Sequence, residues 1–325
     1  MGHDVTVLTR RKYLPVYQGV KFVALPYVNK SALETITHSM LCTMYAFWHK
    51  PDIVHVHNMG ACLLLPILKL RRIKVILTIH SLNYQHWKWG KIAKAMLKLC
   101  EWIGIHFADR VITVSPDIRQ CLKQAYGKHT PIHFIPNGVR PAEIVSAGVV
   151  LTKYKLEPKK YVLAVGRITP EKGLEILVNA YNLLSNPDFK LVIVGDEIHP
   201  TRYKGHLLCL IEDNPNIVLT GFLFGRELAE LYTNAGLFVS TSINEGFPMV
   251  VLEAMSYGLP MLLSDIPAHK EIRLAPTRYF KDARELASKL AIPIMLNGEH
   301  KQYEAILHKK YDWDAITKAI YDTYC

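Results

Sequence analysis

Two glutamates, Glu245 and Glu253, mark the segment of the chain with the clearest potential for chemistry. Glu245 is followed at once by Gly-Phe-Pro, and an apolar, helix-compatible run leads from there to Glu253. At about 3.6 residues per turn, this spacing is a little over two helical turns, so Glu253 would point back toward the loop that carries Glu245. Helix N-termini attract anionic and hydroxyl-rich ligands, and the backbone at this one would come from Gly246, Phe247, Pro248 and Met249.

A second candidate segment combines an apolar strand pattern, a glycine turn and a helical pattern. The strand pattern ends at Gly166, and the helical pattern starts near Lys172. Ligands bind at such strand ends in open α/β sheets. Arg167 offers a planar fork for phosphate oxygens and Lys172 a mobile point charge, a pair that suits a diphosphate leaving group. The alternative is a structural ion pair of either cation with Glu171 or Glu175.

Together the two segments resemble the donor site of retaining, nucleotide-sugar-dependent glycosyltransferases with the GT-B fold (family 4, glycosyl transferases group 1). The resemblance is strongest from 160 to 275. It implies that Arg167 and Lys172 stabilise the departing diphosphate. It further implies that Glu253 holds the ribose and that Glu245, with the backbone of 246–249, orients the sugar. The turn at Phe222 would pack against the base. A UDP-sugar is favoured over a GDP-sugar as donor, and neither a cofactor nor a metal ion is expected.

Histidines supply the candidates in the first half of the chain. His80 ends the strand pattern Leu-Thr-Ile-His, and the resemblance places it opposite the donor sugar as a fourth catalytic residue. The alternative is an ordinary core or surface histidine. His55 and His57 form His-x-His, but two ligands on one strand face without a third acid or cysteine do not make a zinc site. Asp312 and Asp314 would cap the terminal helix rather than bind metal.

Strand and helix patterns alternate along the chain, which predicts α/β architecture with parallel sheets. Two doubly wound Rossmann-like domains facing a cleft are expected, with boundaries at 1–150 for the acceptor side and 151–310 for the donor side. Residues 311–325 would form a helix that crosses back to the first domain. In the first domain we expect helices over 91–107 and 115–126, and strands over 4–9, 52–57, 74–79, 110–114 and 133–135.

The beginning of the chain departs from the family pattern. Family members usually have a strand, a glycine-rich loop and a helix before a string that resembles Gly-His-Asp-Val-Thr-Val-Leu-Thr, whereas here that string follows Met1 directly. In a doubly wound sheet the first strand is central, and its loss would leave costly unpaired backbone groups. We therefore expect upstream coding sequence, and the activity of the chain without it is an open question.

Charge is distributed unevenly along the chain. Residues 1–157 carry 21 Lys and Arg against 8 Asp and Glu, whereas the remainder has a net charge of −2. The cations concentrate in Lys69–Trp102, where His86-Trp87-Lys88-Trp89 places tryptophans beside lysines. Such a combination is typical of a surface that meets anionic lipid, and it would suit an acceptor on a lipid carrier. The alternative is a solvated basic helix face.

Other features of the sequence narrow the setting. No apolar run reaches transmembrane length, and no signal peptide is expected. The six cysteines are widely spread and never form Cys-x-x-Cys, which predicts reduced thiols in a cytoplasmic protein. The basic region Lys69–Trp102 would add peripheral attachment at the inner face of the plasma membrane. The high pI alone permits nucleic-acid binding, but no recognised motif supports it.

The resulting hypothesis is transfer of a sugar from a nucleoside diphosphate sugar to the hydroxyl of a glycan or lipid-linked acceptor, with retention, in cell-envelope glycan or glycolipid synthesis. Two alternatives remain: a non-catalytic relative that binds a nucleotide sugar, and a GT-B sugar-nucleotide epimerase or hydrolase. A nicotinamide oxidoreductase is disfavoured because no Gly-x-Gly-x-x-Gly follows a strand.

Overall fold

The computed structural model describes residues 2–11, 16–28, 33–82, 84, 90–127, 130–198, 200–212, 214–292 and 299–325. The chain divides into two compact units, Met1–Ile135 with Ala319–Cys325, and Pro136–Lys318. This division lies before the boundary expected at residue 150. The reason is that the intervening segment packs within the second unit: Val150 belongs to its core, and the Val145 amide donates to the Thr233 hydroxyl at 3.1 Å.

The described strands of the first unit form two sheets rather than the single doubly wound sheet expected from the sequence. They are β1 (Thr6–Thr9), β2 (Val16–Tyr17), β3 (Val20–Ala24), β4 (Ile53–His57), β5 (Lys74–Ile79), β6 (Arg110–Thr113) and β7 (Ile132–Phe134). The smaller sheet has the order β1-β3-β2, and the larger one has four parallel strands in the order β4-β5-β6-β7. The five predicted strands are present. The predicted bounds 74–79 match β5, and the other four strands have ends shifted by one or two residues.

Helices cover the four-stranded sheet of the first unit. They are α1 (Leu33–His49), α2 (Leu65–Lys69), α3 (Lys91–Phe107) and α4 (Pro116–Tyr126), with a 3-10 helix at Met59–Leu64. The predicted bounds of α3 are confirmed, and α4 begins as predicted: the Ser115 hydroxyl accepts from the Asp117 amide at 3.2 Å, with proline at the first helical position. The middle of β5 is buried on both faces, which is why it is an uninterrupted apolar run.

The second unit is one parallel sheet. Its strands are β8 (Tyr161–Val165), β9 (Lys190–Val194), β10 (Ile217–Leu219), β11 (Leu237–Ser240), β12 (Met261–Ser264) and β13 (Tyr279–Phe280). Their order is β10-β9-β8-β11-β12-β13. From β8 the chain builds one side of the sheet as far as β10, and then returns to the other side of β8 with β11. The strand order therefore reverses between β8 and β11, the place where doubly wound sheets bind ligands.

Apolar cores lie on both faces of this sheet. The helices of the unit are α5 (Val149–Lys153), α6 (Leu174–Asn182), α7 (Arg202–Ile211), α8 (Gly225–Asn234), α9 (Met249–Ser256), α10 (Pro267–Lys270), α11 (Ala283–Leu290), α12 (Glu299–Lys310) and α13 (Trp313–Asp322). Leu163 and Phe238 point into one core, whereas Val162 and Val239 point into the other, as the alternation of side chains along a strand requires. A fully buried side chain of this size contributes about 1.5–3 kcal/mol.

The end of the chain differs in detail from the single helix expected over 311–325. Tyr311 is buried and its carbonyl accepts from the Val139 amide at 3.0 Å, so α12 ends before it. The Asp312 carboxylate then accepts from the Ala315 amide at 3.0 Å and starts α13, which confirms its predicted capping role. The last residues, Ala319–Cys325, group with the first unit.

Candidate active site

The two predicted motifs of the second unit follow neighbouring central strands. Residues 166–173 leave the carboxyl end of β8, and residues 241–248 leave the carboxyl end of β11. Because β8 and β11 are paired in parallel, both loops emerge at the same edge of the sheet, at the point of strand-order reversal. The fold thus brings together two segments that are far apart in the sequence.

An ion pair joins the two loops. The Lys172 ammonium contacts the Glu245 carboxylate, and the two side chains are 19% and 13% exposed. The Ser242 hydroxyl donates to the same carboxylate oxygen at 2.8 Å. A cation and a hydroxyl therefore both contact the Glu245 carboxylate in this largely shielded position. Lys172 pairs here with Glu245, and not with Glu171 or Glu175 as the structural alternative would have required.

Backbone contacts hold the same two loops in register. The Thr241 hydroxyl donates to the Lys172 carbonyl at 2.9 Å, and the Ile243 amide donates to the Glu171 carbonyl at 2.9 Å. Gly173 completes this junction in a left-handed conformation with φ of +56°, and a Cβ there would lie 2.4 Å from the Thr241 carbonyl oxygen. Only glycine suits this position, since other residues carry a steric cost there.

Arg167 contrasts with its neighbour Lys172. Its side chain is exposed, and within the described ranges it makes no hydrogen bond or ion pair with the protein. Glu175, the other acid considered for a pairing, accepts instead from the Tyr203 hydroxyl. The five N–H donors of the Arg167 guanidinium therefore remain available for phosphate oxygens at this edge of the sheet.

Glu253 lies on α9 in surroundings different from those of Glu245. Its carboxylate accepts from the Tyr232 hydroxyl at 3.0 Å, and burial raises its pKa. It borders a cavity of about 310 Å³, at the lower end of the roughly 300–1,000 Å³ range of small-molecule pockets. The cavity is lined by Gly138, Val139, Arg140, Pro141, Gly225, Leu228, Ala229, Tyr232, Met249, Glu253, Ser256, Tyr257 and Trp313.

The remaining predicted donor residues take distinct positions. Helix α9 begins at Met249, immediately after Gly-Phe-Pro, as the sequence predicts. The Phe247 ring packs edge-on against Tyr311 at 5.9 Å between ring centroids. Phe222 is 45% exposed and stacks on Phe224 with centroids 6.0 Å apart. Two aromatic rings are thus exposed to solvent after β10. Gly166 lies close to another residue of its own donor loop, since a Cβ there would come within 3.3 Å of the Lys172 side chain.

Sequence reasoning missed a buried polar cluster beside the Glu245 loop. His269 is 0% exposed, and its ring contacts the Ser240 hydroxyl at 3.3 Å and the Ser264 hydroxyl at 3.0 Å. Burial lowers the pKa of His269 to about 4, so the ring is neutral at pH 7. Ser264 in turn donates to the Ser242 carbonyl. This cluster ties the ends of β11 and β12 together. Its one sequence signal was the histidine two residues after Ile266-Pro267.

His80 lies at the end of β5 in the first unit, as predicted. Its Nε2 is 3.1 Å from Nδ1 of His57, and the rings of His55 and His57 stack with centroids 4.5 Å apart. His55 also contacts the Thr78 and Tyr324 hydroxyls, each at 2.7 Å. Burial, reinforced by His57, lowers the pKa of His80 to about 4. No group of three or more His, Cys, Asp or Glu in the described ranges is arranged to hold a metal ion.

Comparisons with known proteins identify the family and the fold. Residues 1–143 match the family described as Glycosyltransferase Family 4, and residues 152–284 match Glycosyl transferases group 1. The chain is 26% identical to an uncharacterized glycosyltransferase of Methanocaldococcus jannaschii, over 99% of this chain and 90% of that protein. A sucrose-phosphate synthase structure from Thermosynechococcus elongatus superposes with a TM-score of 0.81 at 20% identity, covering 99% of this chain and 88% of that one. Anabaena HepE in complex with UDP-glucose superposes with a TM-score of 0.76 at 19% identity, covering 94% and 86%.

The chain therefore belongs to the group 1 glycosyltransferases, with a family 4 domain preceding the group 1 domain. Its two α/β units are the two Rossmann-like domains of the GT-B fold. The predicted fold class is confirmed, and the protein is a glycosyltransferase.

Proposed function

We propose that the protein transfers a sugar from a nucleoside diphosphate sugar, with UDP as the favoured nucleotide, to an acceptor hydroxyl with retention of configuration. The observation that carries the proposal is the pairing of Lys172 with Glu245 beside the unpaired Arg167, at the strand-order reversal of the second unit. The likeness to HepE, whose structure holds UDP-glucose, supports this donor class. The acceptor is proposed to be a glycan or lipid-linked molecule of cell-envelope synthesis.

In this proposal the cations act on the leaving group. The bond between the anomeric carbon and a diphosphate oxygen breaks, and a bond forms from the acceptor oxygen to the same carbon. The acceptor proton passes to an oxygen of the departing diphosphate. Negative charge grows on that group as the bond breaks, so the positive charges of Arg167 and Lys172 stabilise the transition state more than the ground state. No metal ion or other cofactor is required, because these two side chains supply the positive charge.

The two glutamates hold the two sugars of the donor. Glu245, held in place by its contacts with Lys172 and Ser242, accepts hydrogen bonds from hydroxyls of the transferred sugar. Glu253 accepts from the ribose and lies against the cavity, where its contact with Tyr232 fixes the carboxylate before the ligand arrives. The exposed ring of Phe222 is proposed to stack on the base.

His80 is proposed to contact the transferred sugar as a neutral imidazole. With its pKa lowered to about 4, the ring carries no charge at pH 7. It can donate or accept one hydrogen bond without adding a second positive charge to a sugar that itself becomes cationic. His57 occupies Nε2 of His80, which leaves Nδ1 to face a ligand.

Calorimetric titration of the purified chain with UDP-, GDP- and ADP-sugars tests the donor assignment. Selective binding of one nucleotide, weakened in Arg167→Ala and Glu253→Ala, is the expected result. Arg284→Ala is a matched control because Arg284 is an exposed arginine of α11. The absence of binding by a folded chain would reject the donor site.

Turnover assays separate transfer from the two alternatives. Release of nucleoside diphosphate that depends on added acceptor supports transfer. Donor consumption without acceptor indicates an epimerase or hydrolase. Donor binding without turnover under either condition, also when upstream residues are supplied, indicates a non-catalytic relative.

A further inference from the structure

An apolar stripe on α3 in the first unit faces solvent. Ile92, Met96, Leu99 and Trp102 recur at intervals of three and four residues, which places them along one side of the helix. Their exposed fractions are 87%, 44%, 49% and 46% in that order. Scattered exposed apolar residues are ordinary, but a contiguous row of four marks an interaction surface.

The side of α3 opposite the stripe is buried, so only one face of the helix exposes its apolar side chains. The buried residues of the helix are Cys100, Glu101, Gly104 and Ile105. Gly104 packs so closely that a Cβ there would lie 2.8 Å from the side chains of Cys62 and Leu77. The helix is therefore anchored to the core on one side and presents a second apolar side outward, unlike a surface helix with a polar outer face.

Cations border the stripe. Lys91, Lys94 and Lys98 recur at three- and four-residue intervals along the helix, and Lys91 and Lys98 are exposed. Glu101 is the one acid in the sequence of α3, and it is buried, accepting from the Tyr126 hydroxyl at 3.1 Å. The solvent side of α3 thus combines apolar and positively charged side chains and carries no acidic side chain.

We propose that this face of α3 binds an anionic lipid bilayer. The apolar stripe enters the boundary between lipid headgroups and acyl chains, and the lysines contact lipid phosphates. Charge complementarity favours this occupant over a second copy of the chain, since two such faces would bring lysines together. The helix would lie in the plane of the interface. No helix in the described ranges is long and apolar enough to cross a membrane. The inference extends the proposed function by naming the surface at which a lipid-linked acceptor is met.

Some cations of the basic region predicted from the sequence are already paired within the first unit. Lys69 is engaged with Asp109 at 2.5 Å, and Lys74 donates to the Tyr324 and Cys325 carbonyls at 2.7 and 2.9 Å. These two cations are committed within the unit. The segment His86-Trp87-Lys88-Trp89 lies outside the described residues. The membrane-binding surface is therefore assigned to α3 itself.

Co-sedimentation with vesicles tests the proposal. The chain is expected to bind phosphatidylglycerol–phosphatidylcholine vesicles, more weakly as salt rises, and to leave pure phosphatidylcholine vesicles largely unbound. Each surface lysine contributes to the free energy of binding to anionic lipid. The double variant Lys91→Glu with Lys98→Glu should therefore bind the vesicles at least about 30-fold more weakly. Ile92→Glu should weaken binding by about tenfold or more, since a buried apolar side chain is replaced by an acid.

Matched controls are available in the second unit. Lys309→Glu with Lys310→Glu makes the same charge change on exposed positions of α12, and Val149→Glu changes an apolar residue that is 79% exposed. Both controls should keep wild-type vesicle binding. Equal losses in the controls, or no vesicle binding by the wild-type chain, would overturn the proposal. So would a wild-type dimer in sedimentation velocity that Ile92→Glu converts to monomer.

Donor binding keeps this test separate from that of the proposed function. Calorimetry with the UDP-sugar on the α3 variants is expected to give wild-type affinity. Vesicle binding without donor binding would refute the proposed function alone, and donor binding without vesicle binding would refute the membrane surface alone.

Discussion

The Glu245–Lys172 site of the second unit and the histidine cluster of the first both lie at carboxyl ends of parallel strands, yet they treat charge in opposite ways. In the second unit the Glu245 carboxylate is paired with the Lys172 ammonium. In the first unit, burial lowers the pKa of His55 to about 3 and that of His80 to about 4. No acid lies among the contacts that the structure shows for these rings, so nothing restores the charge.

This difference indicates which chemistry each unit can perform. A site that keeps mobile cations can stabilise a leaving diphosphate, whereas neutral imidazoles can orient a sugar through hydrogen bonds. Removing a group should therefore affect turnover most in the second unit. In the first unit, removal of a histidine side chain should change the pH dependence of stability more than it changes turnover.

The largest effect is expected for Arg167→Ala. Loss of one cationic donor to developing negative charge reduces kcat by about 10²–10³, and within the described ranges the exposed side chain makes no hydrogen bond or ion pair whose loss would unfold the protein. Steady-state release of nucleoside diphosphate measures the effect, with Arg284→Ala as the control. A decrease smaller than about threefold in Arg167→Ala would remove this residue from the diphosphate site.

Glu253→Ala should have the next largest effect, on donor affinity rather than on kcat. A hydrogen bond to a charged group contributes about 1.5–3 kcal/mol, so affinity for the nucleotide sugar should fall by about 10- to 100-fold in calorimetry. Tyr232→Phe keeps the carboxylate and removes one of its donors, and it should weaken binding less. Equal affinity in Glu253→Ala and the wild type would contradict the ribose assignment.

Stability gives an independent check on Glu253. Because burial raises its pKa, the folded state holds a proton in a pH interval where the unfolded state has lost it, and stability falls as pH rises through that interval. The free energy of unfolding of Glu253→Gln, compared with that of the wild type, should therefore be higher at pH 7 than at pH 4. The variant should also bind donor more weakly. Urea denaturation at the two pH values measures this.

Gly173→Ala tests the junction between the two donor loops. The left-handed backbone and the 2.4 Å approach to the Thr241 carbonyl should cost about 1–3 kcal/mol of stability. Gly205→Ala is the matched control, since Gly205 lies within α7 with nothing within 4 Å of an added Cβ, and it should stabilise by about 0.5–1 kcal/mol. A Gly173→Ala protein as stable as the wild type would show that the loops can rearrange.

The sequence predicted the parts of the site that depend on local pattern. The apolar run before Gly166 and the Gly-Phe-Pro before Met249 specify strand, loop and helix without tertiary information. Alternating elements then require parallel pairing, which places both loops at one edge. The resemblance assigned Lys172 and Glu245, 73 residues apart, to one site, and the pairing of β8 with β11 explains why their loops meet.

Side-chain pairings were less predictable because they depend on distances that no local pattern contains. His269 binds Ser240 and Ser264 from two different strands, and Glu253 meets Tyr232 of a separate helix. The boundary between units was placed too late for a similar reason: an irregular segment resembles a linker until its hydrogen bond to Thr233 is known. The break at Tyr311 likewise reflects burial that the amphipathic pattern does not reveal.

The smallest effect is expected at His80 and concerns pH. Since its folded pKa of about 4 lies below the ordinary value of 6.5, the unfolded state binds a proton between these values that the folded state does not. Stability should therefore decrease as pH falls through this interval. In His80→Asn the loss between pH 7 and pH 5.5 should be smaller than in the wild type by about 1 kcal/mol.

His49→Asn is the control for this change, because His49 is an exposed histidine at the end of α1. Urea denaturation of the three proteins at pH 7 and pH 5.5 gives the comparison. His49→Asn should keep the wild-type difference, whereas His80→Asn should reduce it. If both variants keep the wild-type difference, folding does not lower the pKa of His80, and the contrast between the ion-paired donor site and a neutral histidine cluster no longer holds.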